Sequence, residues 1–283
     1  MHKDINSPRI VTIEEVIQET PTVKTFVFED KFSNIALPGQ FLMVWIPRFE
    51  ELPISIMISE KKNYSAITIR KRGYASSALF NFKKGDKIGI RGPYGNSFTV
   101  KDNFKTIILI GGGTGMVPLV KLLNILRFKE LTTIIIIMGA KTKEEIFFVD
   151  IINKILEHHN SFRLLISTED GSFGVKGLPI DIMNNILQKK KEYGNIDMIY
   201  TCGPELMMKK IFDIASEKQI PIQASLERYM KCGIGICSSC CINDLLVCYD
   251  GTIFNNEQLQ NLSEFGISYR DKTGRIQKYI VDD

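Results

Sequence analysis

At about Lys101 the hydrophobic rhythm of this chain changes, and that change limits the architecture more tightly than any single motif. Before it, short runs such as "RIVTIEEV", "VKTFVFED", "QFLMVWI", "AITIRKR" and "DKIGIRG" are rich in β-branched and aromatic residues. Several alternate with period two, and "LPGQ", "KKGD" and "GPYGN" separate them with turn chemistry. With almost no helical pattern between these runs, residues 1–100 are predicted to form a small antiparallel β-barrel. After Lys101, "KTIILIGG" and "TTIIIIMGA" are continuous apolar runs of the kind a buried parallel strand requires. "VPLVKLLNILRF", "VDIINKILEHH", "LPIDIMNNILQKK" and "PELMMKKIFDIASEK" carry helical spacing, with the strand runs "FRLLIST" and "IDMIYTCG" among them. Pro118, Pro179 and Pro204 stand near first helical turns, where a missing N–H costs little. This alternation predicts a doubly wound parallel α/β domain over 101–223. A third segment, 224–283, follows.

Charge and hydropathy exclude some functions. A formal net charge of +4 from 36 basic and 32 acidic residues is a mild bias. The short basic runs Arg70-Lys71-Arg72 and Lys189-Lys190-Lys191 lack the interleaved aromatics of a nucleic-acid face and read as solvated charge. No stretch approaches the ~18 apolar residues that span a bilayer. "MHKDINSPRIVTIEEV" has no apolar signal core, so a cytoplasmic location is expected. There thiols stay reduced, and a dense cysteine cluster points to metal or redox chemistry rather than to disulfides.

Five of the six cysteines lie in "ERYMKCGIGICSSCCINDLLVCYDGTIF", residues 227–254. Cys232, Cys237 and Cys240 form C-x4-C-x2-C and Cys248 follows, which is the plant-type [2Fe–2S] ligand spacing. The loop has to wrap three thiolates round one edge of a cluster. Gly233 and Gly235 let its backbone pass close to the sulfides. A four-cysteine zinc site normally uses two paired knuckles, and only Cys237–Cys240 has that spacing. Cys241, directly behind the third ligand, is expected to point away.

"ILIGGGTGMVPL", residues 108–119, is a glycine turn between a buried strand and a helix, where amides can approach a pyrophosphate. Met116 stands where a third fingerprint glycine would be, so the turn also reads as tight strand-to-helix packing. "YTCGPELM" places Cys202, Gly203 and Pro204 at the carboxyl edge of the sheet, where ligands bind in open α/β folds. In the barrel, "LPISIM" and "TIRKRGYASSAL" offer Arg70 for a phosphate and small residues from Gly73 to Ser77 for a pyrophosphate turn. The three histidines, His2, His158 and His159, argue against histidine-based metal catalysis. No Ser-His-Asp arrangement is visible.

The order of these motifs, "PISI", "GDKIGIRGPYG", "GGGTGMVP" and "CGPE", resembles the ferredoxin reductase superfamily over essentially the whole chain. The terminal "ERYMKCGIGICSSC" with "VCYDGTIF" narrows the resemblance to the electron transfer subunits of type B dihydroorotate dehydrogenases. That resemblance implies FAD in the barrel, NAD in the α/β domain and one [2Fe–2S] cluster on the C-terminal segment. It implies that Pro53, Ile54 and Ser55 line the flavin ring and ribityl chain. Thr68, Ile69 and Arg70, with Ala75 and Ser76, would hold the FAD phosphates and adenosine side. Gly111, Gly113, Thr114 and Gly115 would face the incoming dinucleotide, with Cys202-Gly203-Pro204 beside its nicotinamide and "STEDGSFGVKG", residues 167–177, nearby. Cys232, Cys237, Cys240 and Cys248 would ligate the cluster. Three departures stand out: Leu52 where many members have Arg, Ser76 where Thr is common, and a short interval between Cys240 and Cys248.

A flavin exchanges electrons singly or in pairs, so it belongs between a one-electron cluster and a two-electron nicotinamide. The resemblance implies a path from dihydroorotate through the FMN of a catalytic partner subunit, then the cluster and FAD, to NAD. It implies a hetero-oligomer, with a heterotetramer as one arrangement. No base or pyrimidine site is visible here, so catalysis on dihydroorotate is expected of the partner. Two alternatives stay open. One is the small subunit of a ferredoxin:NADP oxidoreductase, sulfide dehydrogenase or hydrogenase complex; the other is a relay module that uses no pyridine nucleotide. Lys141 and Lys143, with no acidic residue at positions 139–143, leave NAD against NADP open. Ile234, Ile236 and Leu246 are candidates to pack on the partner.

Overall fold

The computed structural model describes residues 5–129, 133–157, 159 and 161–280. His2 and His158 lie outside them. β1 (Arg9–Thr20), β2 (Val23–Glu29), β3 (Phe41–Trp45), β4 (Glu51–Met57), β5 (Tyr64–Arg70) and β6 (Lys87–Tyr94) close a barrel in the order β1-β2-β5-β4-β3-β6. Period-two alternation fills it: Ile54 and Ile56 of β4, Ile67 and Ile69 of β5 and Ile88 and Ile90 of β6 all enter one core. Two short helices, α1 (Lys31–Asn34) and α2 (Tyr74–Phe80), sit among the strands. Asp30 caps α1 by accepting from the Ser33 amide, and its carboxylate also holds the buried Arg9 at 3.0 and 3.1 Å.

The second sheet is parallel over most of its width. Its strands β7 (Thr106–Gly112), β8 (Thr133–Ala140), β9 (Phe162–Thr168), β10 (Val175–Lys176), β11 (Met198–Cys202) and β12 (Ile222–Ser225) alternate with α3 (Met116–Leu126), α4 (Val149–Leu156), α5 (Pro179–Gln188), the short α6 (Lys190–Tyr193) and α7 (Glu205–Glu217). The order is β10-β9-β8-β7-β11-β12, with β7 and β8 all but dry on both faces. Helices on each side bury those faces, which explains the unbroken apolar runs. Met57 of β4 shares a core with Val117 and Val120 of α3, so barrel and sheet are joined by apolar packing.

The C-terminal segment adds the small strands β13 (Cys241–Ile242) and β14 (Leu245–Leu246), then β15 (Ile253–Asn255), α8 (Asn256–Asn261) and a hairpin of β16 (Ser268–Arg270) and β17 (Ile276–Lys278). β15 pairs antiparallel with β12 and becomes the seventh strand of the parallel sheet. The cysteine loop is therefore an excursion between two neighbouring strands. β12 itself spans positions 223 and 224, where the sequence pattern divides sheet from segment. Among the described residues no helix is long and apolar enough to cross a membrane.

Lys121 is out of character for α3: it is only 6% exposed, and burial lowers its ammonium from 10.5 to about 8. Between those values the unfolded chain binds more protons than the folded one, so stability rises with pH from about 8 to 10.5. Below about 8 the full penalty applies. Lys121→Met should therefore stabilise the protein by about 2–3 kcal/mol near pH 7, with roughly half that gain near pH 9.5. Urea denaturation of both proteins at the two pH values checks this, and a gain independent of pH would refute the ionisation argument.

Candidate functional site

The carboxyl edge of the sheet brings two of the sequence motifs into contact. β7 ends at the glycine turn, a short 3-10 turn over Gly113–Gly115 leads into α3, and β11 ends beside it at Cys202. A Cβ on Gly115 would lie 2.3 Å from the Cys202 carbonyl oxygen, so only glycine lets these two turns interlock. Gly111 is a packing position: its Cβ would meet Met116 Sδ at 2.5 Å, inside the protein. Gly113 and Thr114 keep partial exposure and stand at the mouth of the turn.

Burial pushes the Cys202 thiol up to about 12, so it stays protonated at neutral pH. The residue keeps some surface, but its sulfur meets Ser225, its register partner on β12. Near the same edge, Ser167 Oγ on β9 and Thr201 Oγ1 on β11 are buried without a hydrogen-bond partner. Such orphan hydroxyls are uncommon in a finished core, and they suit an edge that takes a polar ligand. Segment 167–177 turns just beyond β9, where Lys143 N donates to Ser172 Oγ at 2.8 Å. Lys141 and Lys143 are both exposed.

On the barrel side, strand alternation divides the predicted cofactor residues. Pro53, Ser55 and Arg70 are half-buried and Thr68 is buried, all facing away from the barrel interior. Ile54 and Ile69 point into that interior, so only their main chain is free to meet a ligand. Thr68 Oγ1 lies 2.8 Å from Thr25 Oγ1. Ala75 is buried on α2, while Ser76 Oγ accepts from the Arg72 and Gly73 amides at 3.1 and 2.9 Å and so caps that helix. Arg70 reaches across to the sheet: its guanidinium donates twice to Glu145 Oε2, at 3.0 and 3.1 Å. One terminal nitrogen stands 3.7 Å from where a Gly113 side chain would begin. Arg70 thus joins the barrel face to the glycine turn. Sequence reasoning missed Glu145, because charges 75 positions apart give no local signal.

The cysteine loop supplies sulfur and amide groups together. Cys232 Sγ accepts from the amides of Ile234, Ile236 and Cys237 at 3.5, 3.4 and 3.4 Å. Cys248 Sγ accepts from Gly235 at 3.3 Å, and Cys240 Sγ from the Cys248 amide at 3.4 Å. Gly235 has φ of +78°, which turns the loop back over its own thiols. Desolvation raises the Cys237 thiol, but hydrogen bonding with Ser239 and Cys232 outweighs it and brings it to about 6. The Cys240 thiol is lowered to about 7, first by its bond to Cys248, which keeps the shared proton. Thiols that ionise this readily, under a cover of amide donors, fit an iron–sulfur cluster. No three His, Cys, Asp or Glu side chains among the described residues converge to hold a single ion. Cys241 points elsewhere, toward Arg270, whose Nε donates to its sulfur at 2.9 Å. Cys237 is exposed and Cys240 and Cys248 are buried, with Cys232 between. Of the three apolar candidates on the loop, Ile236 is 76% exposed, whereas Ile234 and Leu246 pack on the core. His159 follows α4, accepting from the Ser161 amide through Nδ1, far in sequence from all of these groups.

Known proteins share this arrangement. Residues 227–260 match the iron–sulfur cluster binding domain of dihydroorotate dehydrogenase B, and residues 109–213 match the oxidoreductase NAD-binding domain. A solved NADH-dependent reduced ferredoxin-NADP oxidoreductase superposes with a TM-score of 0.78 at 26% identity, covering 91% of both chains. A ferredoxin NADP+ reductase from Neisseria gonorrhoeae, solved with bound FAD and NADP, shares the fold at a TM-score of 0.64 and 20% identity; it covers 74% of this chain and 91% of its own. Sequence relatives are nearer. A probable dihydroorotate dehydrogenase B (NAD(+)) electron transfer subunit from Methanocaldococcus jannaschii is 42% identical over 276 residues, covering 96% of this chain and 98% of that one. The same subunit from Pyrococcus furiosus is 39% identical over 269 residues, covering 95% and 98%. Identity at that level along nearly the full length of both chains is a family relationship: the protein belongs to the dihydroorotate dehydrogenase B electron transfer subunits.

Proposed function

We propose that this chain carries electrons between a dihydroorotate-oxidising partner and NAD, using a [2Fe–2S] cluster and FAD, in pyrimidine biosynthesis. The observation that carries the reading is the position of the cysteine loop. It leaves the sheet beside Cys202, passes against the barrel and presents Cys237 to solvent before it rejoins the sheet at β15. When bound, the cluster exchanges single electrons, NAD takes a hydride, and FAD does either.

The chain's own residues divide the work. Cys232, Cys237, Cys240 and Cys248 hold the cluster, and their amide donors offset its negative charge. The exposed face of β4, at Pro53 and Ser55, and the main chain of Ile54 support the flavin. Thr68, Arg70 and the main chain of Ile69, with the first turn of α2 at Ala75 and Ser76, take its phosphate and adenosine side. Gly113 and Thr114 at the mouth of the turn, on the frame set by Gly111 and Gly115, receive NAD beside Cys202-Gly203-Pro204. The protonated Cys202 thiol places no negative charge beside the nicotinamide. In this reading 1–100 is the flavin domain, 101–223 the nucleotide domain and 224–283 the cluster segment, in a cytoplasmic protein. The partner is an FMN-containing catalytic subunit in a hetero-oligomer, approached through the exposed Ile236 and Tyr249.

The ferredoxin:NADP alternative has one observation in its favour, the 26% identical neighbour that covers 91% of both chains. Reconstitution separates the two readings. This chain mixed with a dihydroorotate-oxidising subunit should reduce NAD on addition of dihydroorotate, and neither protein should do so alone. NADH should bleach the bound flavin in stopped flow, and NADPH less well. Preference for NADPH, with binding to a ferredoxin in place of the catalytic subunit, would move the assignment to the alternative.

A further inference from the structure

The cysteine loop is fastened to the barrel at both ends. At its far end, Asn96 Nδ2 donates to the Asp250 and Ile253 carbonyls at 3.1 and 2.8 Å, and Asn96 Oδ1 accepts from the Ile253 amide at 2.8 Å. Its near end is held by a charge. Arg91 of β6 makes a two-pronged pair with Glu51 of β4, Nε to Oε1 at 2.9 Å and Nη2 to Oε2 at 2.5 Å. The same Nη2 donates at 3.1 Å to the main-chain carbonyl of Cys232, 141 positions away. Next to it, a Cβ on Gly233 would lie 2.6 Å from Met43 Cγ, so the loop rests directly on β3. Arg91 and Met43 are register partners, and Met43 is the partner of Pro53. One row across β6, β3 and β4 therefore leads from the main chain of Cys232 to the face proposed for the flavin. Neighbouring antiparallel strands lie about 5 Å apart, so this row is short.

We propose that Arg91 is a positioning residue for the iron–sulfur centre: it pins the Cys232 end of the loop to the barrel and raises the reduction potential of a cluster held there. The proposal rests on the cluster assignment above. A reduced cluster carries one more negative charge than an oxidised one. A guanidinium that touches the first ligand's carbonyl directly, with its carboxylate partner one hydrogen bond further from that carbonyl, favours the reduced form. Glu51 both orients the fork and offsets part of its charge. The two residues should therefore act on the potential with opposite signs.

The test is a redox titration followed by electron paramagnetic resonance on the purified FAD- and cluster-loaded protein and on Arg91→Gln, Arg91→Lys and Glu51→Gln. Arg91→Gln leaves Glu51 uncompensated and should lower the cluster potential, shifting the one-electron equilibrium about threefold. At 59 mV per tenfold for one electron, that is about 30 mV. Glu51→Gln should raise the potential, and Arg91→Lys should fall between wild type and Arg91→Gln. Unchanged potentials in variants with full iron and sulfide content would overturn the proposal. So would shifts of one sign in both Arg91→Gln and Glu51→Gln, and so would loss of the cluster from Arg91→Lys, which marks a merely structural staple. Absence of iron and sulfide from the wild-type protein would instead remove the cluster assignment itself.

Discussion

Cys237→Ser should empty the protein of iron and acid-labile sulfide while its flavin stays bound, and Cys241→Ser should leave both in place. The two residues are four positions apart in one loop, yet their surroundings differ in kind. Cys237 is exposed, its thiol is lowered to about 6, and it follows the amides that serve Cys232. A serine hydroxyl there ionises far less readily and binds iron weakly. Cys241 instead receives a hydrogen bond from Arg270, on the hairpin of β16 and β17. Its sulfur is committed away from the other four. The flavin should persist because the barrel face at β4 and β5 owes nothing to Cys237. Iron and sulfide analysis beside the visible spectrum reads the result after anaerobic preparation. Loss of the cluster from Cys241→Ser with retention in Cys237→Ser would reverse the ligand assignment. Zinc in place of iron would remove it.

What the sequence made legible follows from the range of each interaction. Barrel strands and sheet strands declare themselves through period two and through unbroken apolar runs, because burial acts residue by residue. The cysteine spacing is equally local. The inward direction of Ile54 and Ile69 was not read, since the resemblance assigned both to the flavin site, although "LPISIM" and "AITIR" alternate and isoleucines two apart share a face. What stayed hidden depends on distant partners. β15 adds to the sheet because the chain returns after a 27-residue excursion, from 226 to 252, and three residues of strand carry too little periodicity to announce it. The pairing of Arg70 with Glu145 and the contact of Arg91 with the Cys232 carbonyl join residues 75 and 141 positions apart, which no local pattern announces. Charges of that kind acquire meaning only from the fold.

Glu205→Leu should destabilise the protein by about 3–5 kcal/mol, more than any surface substitution. Glu205 opens α7 directly after Pro204, where the helix dipole favours a carboxylate. Its side chain is 5% exposed and meets Arg228, which is 1% exposed. Arg228 Nη2 donates to Glu205 Oε1 at 2.9 Å, and Nη1 donates to Oε2. Glu205 Oε1 also accepts from the Gly266 amide at 2.9 Å, while Arg228 Nη1 donates to the Glu227 carbonyl at 2.9 Å. One buried carboxylate thus ties together the "CGPE" turn, the root of the cysteine loop and the C-terminal segment. Removing it strands a guanidinium whose Nε already has no partner. The cost comes from that stranded charge rather than from any large net value of the pair. Arg228→Met in the same chain should therefore recover most of the loss, and the double variant should sit within about 2 kcal/mol of wild type. Urea denaturation of the four proteins completes the cycle. If the single-variant losses simply add in the double variant, the two side chains act separately and the stranded-charge account fails. If Glu205→Leu is nearly neutral by itself, water reaches Arg228 and the root of the loop is held by packing alone.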